Sequence, residues 1–105
     1  MVKGEEWQLQ KSIVSYFKWV HPDYLIFSVP MEATYRNKQY FQETGAMAGV
    51  SDLIVVLPTK ILFIELKSKT GRQSVDQKAF EKKIKDLGYE YHIIRTLDEF
   101  INLID

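Results

Sequence analysis

The sequence predicts an α/β fold: one domain in which helices flank a small mixed sheet, in the order helix, three strands, helix, strand, short helix. Three observations carry that reading. Leu9, Ile13, Phe17 and Val20 recur at helical spacing within residues 5–20. Residues 52–57 and 61–67 are dense in Ile, Leu, Val and Phe, as buried strands are. A further apolar run, residues 89–94, follows only after a helical stripe, which makes a strand–helix–strand unit. At 105 residues the chain makes a single domain, residues 1–105, with surface enough for one core.

Each element has a local cause. The first helix stops at His21-Pro22-Asp23, because proline drives the residue before it out of the helical region. Residues 24–29 read as a strand. Residues 30–48 are polar and aromatic without a clean period, and a loop of that length is often functional. Pro58-Thr59-Lys60 is too short for a crossover, so 52–57 and 61–67 form an antiparallel hairpin. After a basic loop, Ser74 starts a helix that runs to Leu87. Gln77, Phe80, Ile84 and Leu87 form its inward stripe, Ser74 and Gln77 fit a capping box, and Gly88 suits the C-terminal cap. Residues 89–94 return beside 61–67 through a right-handed crossover, as a parallel pair. Residues 97–104 form a last helix, with Thr96 as N-cap and Glu99 completing a capping box.

Composition excludes several classes. There is no cysteine, so no disulfide framework and no thiolate site; any metal would sit on oxygen or imidazole. No apolar run approaches the ~20 residues of a membrane span. The opening Met1-Val2-Lys3-Gly4-Glu5-Glu6 lacks the hydrophobic region of a signal peptide, so a cytoplasmic protein is expected. A formal net charge of zero argues against indiscriminate nucleic-acid binding. The charge is uneven, however. Between Lys67 and Lys85, seven basic residues (Lys67, Lys69, Arg72, Lys78, Lys82, Lys83, Lys85) face only Asp76 and Glu81. Such a run serves equally as a solvated helix face or as an anion-binding surface.

The charged ends of the two dense strands are the chemical signal. Glu65 and Lys67, two apart, share a strand face. A Glu-x-Lys triplet arises by chance in roughly one chain in three of this length, so alone it means little. Asp52 strengthens it if it shares that face. Directly opposed hairpin residues do, which requires Leu57 to oppose Lys60. A three-residue loop would instead set Asp52 opposite Leu66, on the other face, unless a bulge re-aims it. Glu6 lies on the buried stripe of the first helix and is a candidate third oxygen donor, although a first-turn acid also simply complements the helix dipole. Gln77 is either a cap or an inward amide beside the carboxylates, and one side chain cannot do everything at once. His21 and His92 show no ligand spacing and read as structural. Trp7 and Trp19 read as core or interface residues. Gly45-Ala46-Met47-Ala48-Gly49 opens a strand and not a helix, so it is no P-loop.

Taken in order, Glu6-Trp7-Gln8-Leu9-Gln10, Gly49-Val50-Ser51-Asp52-Leu53, Glu65-Leu66-Lys67 and Gln77 resemble the VRR-NUC (virus-type replication–repair nuclease) domain of the PD-(D/E)XK superfamily. Its pattern is Glu-x-x-x-Gln, Gly-x-x-Asp, Glu-x-Lys and a helix-start Gln. Ser51 stands where members often carry proline. The resemblance spans residues 5–100 and implies a restriction-endonuclease-like α-β-β-β-α-β core and a metal-dependent phosphodiesterase. It implies Glu6, Asp52, Glu65 and the Leu66 carbonyl as ligands of Mg²⁺ or Mn²⁺, and an all-oxygen set independently suits a hard cation. It implies Lys67 as the residue that orients or activates water, Gln77 as support for that water or for a phosphate, and Lys69, Arg72 and Lys78 as contacts to the DNA backbone.

Small stand-alone members resemble phage-encoded homodimeric Holliday-junction resolvases, which would act in the host cytoplasm. Two-fold symmetry suits a junction with two scissile strands, and Trp7, Trp19 or Phe41 could supply an interface. The alternatives are a nuclease of the same fold acting on flaps or single strands, and a catalytically silent DNA-binding module.

Overall fold

Helix α1 (Gly4–Val20) opens the fold and buries Ile13 and Phe17, with Leu9 packed at the margin. A computed structural model describes residues 4–30 and 43–105. Val20, expected on the buried stripe, is exposed, because it closes the last turn and the chain leaves the sheet there. The helix ends as anticipated at His21, whose N–H bonds the Phe17 carbonyl at 2.8 Å. Strands β1 (Leu25–Ser28), β2 (Leu53–Val56), β3 (Ile61–Leu66) and β4 (Glu90–Ile94) form one sheet in that spatial order. Each matches a strand read from the sequence, trimmed by a residue or so at its ends. The expected loop over residues 30–48 falls largely on 31–42, outside the described residues, as does Phe41.

Pairs β1–β2 and β2–β3 are antiparallel, and β3–β4 is parallel. Alternation along the strands then sorts the side chains. Leu53, Val55, Leu62, Ile64, Leu66 and Ile94 face α1 and the final helix α3 (Leu97–Ile104), where Phe17 meets Phe100 edge-on at 6.2 Å. Phe63, Glu65 and Tyr91 face the other way, toward α2 (Val75–Asp86), where Phe80 packs edge-on against Phe63 at 6.0 Å. Charges therefore enter only on the α2 side of β3.

The caps of α2 follow the reading closely. Ser74 Oγ accepts from the Gln77 N–H at 3.1 Å, and Gln77 Oε1 accepts from the Ser74 N–H at 2.9 Å. At the far end Gly88 has φ +92°, Gly88 N–H bonds Lys85 O at 3.0 Å and Tyr89 N–H bonds Ile84 O at 3.1 Å, a Schellman motif. Leu87, expected to face inward, is the C-cap and is 70% exposed, since the helix has already ended. The box of α3 is displaced: Thr96 caps the Glu99 N–H, but Glu99 Oε1 reaches the Arg95 N–H at 2.7 Å, one residue before the N-cap. Ser74→Ala is expected to destabilise the protein by about 1 kcal/mol, read as a lower denaturant midpoint at unchanged slope.

Candidate active site

The hairpin register decides where the acids meet. Val56 pairs with Ile61 and Leu53 with Ile64, and the Leu57 N–H bonds the Lys60 carbonyl at 2.9 Å. Leu57 thus opposes Lys60, and the same register carried one step past β2 sets Asp52 opposite Glu65. The alternative, with Asp52 opposite Leu66, does not occur.

Asp52 lies just before β2, where the ladder stops. Its Oδ2 accepts the Leu66 N–H at 2.7 Å, a partner for a donor that β2 no longer reaches. In an extended strand a residue's N–H and C=O point to the same neighbour, so the Leu66 carbonyl is also directed to the Asp52 side.

Glu65 is 0% exposed. Its Oε1 accepts from the Tyr91 hydroxyl at 2.8 Å. Its Oε2 has no hydrogen-bond partner; Lys67 Nζ stands 3.5 Å away, close enough for charge attraction but not in hydrogen-bond geometry. Burial is the main cause that pushes both carboxyls above their ordinary range. For Asp52 the Leu66 N–H opposes the shift, the charge of Glu6 adds to it and Lys67 opposes it. For Glu65 the Tyr91 hydroxyl opposes it, Asp52 adds to it and Lys67 opposes it. A carboxylate sealed in this way has a cost to the fold that a cation would offset.

Glu6 is half-buried on α1 and near enough for its charge to act on Asp52, yet it stands off from the pair. Among the described residues, no three acidic or imidazole side chains close into a ready-made cation cage. Gln77, at the start of α2, is held by its cap: Oε1 is committed to the Ser74 N–H, and the amide NH₂ is what remains to meet a ligand.

Lys69, Arg72 and Lys78 are exposed. Farther along α2, Lys82 pairs with Asp86 and Lys85 with Glu81, each at 2.7 Å, so that part of the basic run is a solvated, self-paired helix face. Trp7 and Trp19 are not core residues: they are 52% and 85% exposed, and Lys11 Nζ lies 5.3 Å from the Trp7 ring centroid. His21 bonds Asp105 at 3.0 Å and stacks on Tyr24, Tyr16 also donates to Asp105, and His92 contacts Glu90 at 2.9 Å.

A family model described as the VRR-NUC domain matches residues 4–96. The chain belongs to the VRR-NUC family. VRR-NUC domains are nuclease-type, DNA-processing domains with the PD-(D/E)XK fold. The structure of a "VRR_NUC domain protein" superposes with a TM-score of 0.77 at 23% identity, covering 99% of this chain and 88% of that one. A second, a "VRR_NUC domain", gives 0.71 at 19% identity, covering 97% and 96%. Among curated proteins, a 4-aminobutyrate aminotransferase of Kluyveromyces lactis is 30% identical over 86 residues. This chain spans 18% of that protein's length. Among the described residues, no helix is long and apolar enough to cross a membrane.

Of the VRR-NUC motif residues, the fold thus gathers Asp52, Glu65 and Lys67, directs Glu6 to the same end of the sheet, and sets Gln77 on the adjoining helix start. It also adds groups that the motif pattern omits. Tyr91 is buried behind Glu65, and burial, followed by Glu65 itself, pushes its phenol well above the ordinary range. Gln73 Nε2 reaches Tyr91 Oη at 3.4 Å and Glu81 Oε1 at 3.0 Å. Arg95 Nη1 donates to the carbonyls of Ser68 at 2.6 Å, Gly71 at 2.9 Å and Lys69 at 3.3 Å, and so clasps the basic loop that follows Lys67. The signal for Tyr91 was present: a buried tyrosine needs a partner for its hydroxyl, and a parallel β4 runs beside Glu65.

Proposed function

We propose that this chain is a divalent-metal-dependent endodeoxyribonuclease that hydrolyses phosphodiester bonds in branched DNA, acting in the cytoplasm as a homodimeric Holliday-junction resolvase. The observation that carries the catalytic part is Glu65: a fully buried carboxylate with one oxygen lacking any hydrogen-bond partner, beside Asp52 and Lys67. A silent binding module has no use for that arrangement.

The residues fit Mg²⁺ or Mn²⁺. Asp52, Glu65, the Leu66 carbonyl and Glu6 would hold it, all through oxygen. When bound, such an ion supplies Lewis-acid stabilisation of a phosphoryl oxygen and a more acidic water. Lys67, largely buried and tethered beside Glu65, orients the attacking water and offsets charge that develops on the scissile phosphate. The Gln77 amide, with its oxygen held by the cap, acts as a donor to a phosphate oxygen. Lys69, Arg72 and Lys78 hold the strand through its phosphates, which fixes position without reading sequence. The junction and the dimer rest on the match between two-fold symmetry and two scissile strands.

The test is a substrate panel run with Mg²⁺ or Mn²⁺: four-way junction, flap, single strand and duplex, with Lys67→Ala as control and the dimer checked by gel filtration. Symmetric nicking of the junction is the expected result. Preference for flap or single strand would move the substrate and keep the chemistry. No cleavage of any DNA would leave the silent binding module.

A further inference from the structure

Both acids at the site are half-committed to the protein. Asp52 gives Oδ2 to the Leu66 N–H, and Glu65 gives Oε1 to the Tyr91 hydroxyl. The two bonds differ in kind. The first is a backbone contact that the ladder would otherwise require. The second comes from a side chain 26 residues away on a different strand, a donor that the sheet ladder does not supply. Phenylalanine would pack the same ring against Phe80, whose centroid lies 6.1 Å off. The ring is held on one side by that contact, and Gln73 steadies its hydroxyl. The outcome is a carboxylate whose plane is fixed, with one oxygen occupied and the other, Oε2, buried without a hydrogen-bond partner.

We propose that Tyr91 is a positioning residue that makes Glu65 a one-oxygen donor, and so selects Mg²⁺ and Mn²⁺ against Ca²⁺. This role of Tyr91 rests on the proposed divalent-cation site. Mg²⁺ takes few protein oxygens, singly, and keeps several waters. Ca²⁺ takes 6–8 oxygens and is favoured by carboxylates that offer both. Tyr91 takes one lone pair of Oε1 and holds that oxygen toward its hydroxyl, which disfavours donation by both oxygens of Glu65 to one ion. Asp52 is limited in the same way by Leu66, so the preference is built twice and the Tyr91 half can be removed by itself. Groups behind a metal ligand act on affinity and orientation in this manner elsewhere.

The experiment is calorimetric titration of the DNA-free protein with Mg²⁺, Mn²⁺ and Ca²⁺, for the parent, Tyr91→Phe and Gln73→Ala. Folding is checked by circular dichroism. In Tyr91→Phe the ratio of Ca²⁺ to Mg²⁺ affinity is expected to rise roughly tenfold. Gln73→Ala, which keeps the hydroxyl but loosens it, should move the ratio less and in the same direction, and it decides the matter if Tyr91→Phe does not fold. An unchanged ratio in the folded variants, with the parent binding Mg²⁺ or Mn²⁺, overturns the role of Tyr91 and leaves the metal site standing. A parent that binds none of the three ions overturns both.

Discussion

Replacing Glu65 with glutamine is expected to abolish cleavage and to leave the protein at least as stable as before. The substitution keeps the size of the side chain and an oxygen to accept the Tyr91 hydroxyl. It removes a buried charge. Loss of one transition-state stabilising group of this kind lowers the rate by on the order of 100- to 1,000-fold or more, and loss of the carboxylate should also remove any thermal stabilisation by Mn²⁺.

Stability should run the other way. Burial raises the folded-state pKa of Glu65 above its unfolded value. The stability that this group contributes is therefore fully present below the unfolded value, about 4.3, and is lost as pH rises through the folded one. Glutamine has no such loss. In metal-free buffer the melting temperatures of parent and variant should converge at low pH and separate toward neutrality, with the variant higher. A structural ion pair predicts the reverse, because removing one partner of a pair that stabilises the fold lowers the midpoint. Melting curves from pH 4 to pH 8, paired with a single-turnover cleavage assay, distinguish the two.

The parts of this site that were legible in the sequence are those fixed by period and register. Alternation of apolar residues in β2 and β3 places Leu53 and Ile64 toward the core, and that choice alone forces Asp52 and Glu65 to the other face. The caps of α2 were legible because Ser74, Gln77 and Gly88 are chemically specific to their positions. Tyr91 was missed although the parallel pairing that brings it to β3 was expected, because its partner is 26 residues distant and a tyrosine inside an apolar run reads first as core. The Arg95 clasp was missed for a related reason: it recognises three carbonyls, which carry no side-chain signature. Trp19 shows the opposite case, in which the core half of a core-or-interface reading fails. Its size suggested burial in the core, but it sits on the outward face of α1, where helical phase and not hydrophobicity decides exposure. Gln77 falls between. The sequence offered a cap or a site role, and the cap uses only the oxygen of an amide that has two ends.

The other large effect is expected at Gly49, where no side chain takes part in the chemistry. Gly49 has φ +83°, and a Cβ added there would lie 2.3 Å from the Asp76 carbonyl oxygen and 2.8 Å from the Gln77 nitrogen. The obstacle is the backbone of the first turn of α2, which cannot rotate aside as a flexible side chain could. Gly49→Ala therefore forces apart two segments that carry the site: the turn leading to Asp52, three residues on, and the helix start that holds Gln77. A non-glycine residue in this region of φ costs about 1–3 kcal/mol by itself, and the clash adds to it, so a loss of at least about 3 kcal/mol is expected. Gly88 separates the two contributions. It has φ +92°, and among the described residues nothing lies within 4 Å of an added Cβ. Gly88→Ala should show the conformational cost alone and cleave DNA normally. Gly49→Ala should lose more stability than Gly88→Ala and, assayed well below its melting temperature, about 100-fold in cleavage, the scale set by a displacement of ~1 Å at a reacting centre. Equal stability losses in the two variants, with cleavage intact in both, would mean that the close approach of this turn to α2 is not what holds Asp52 opposite Glu65.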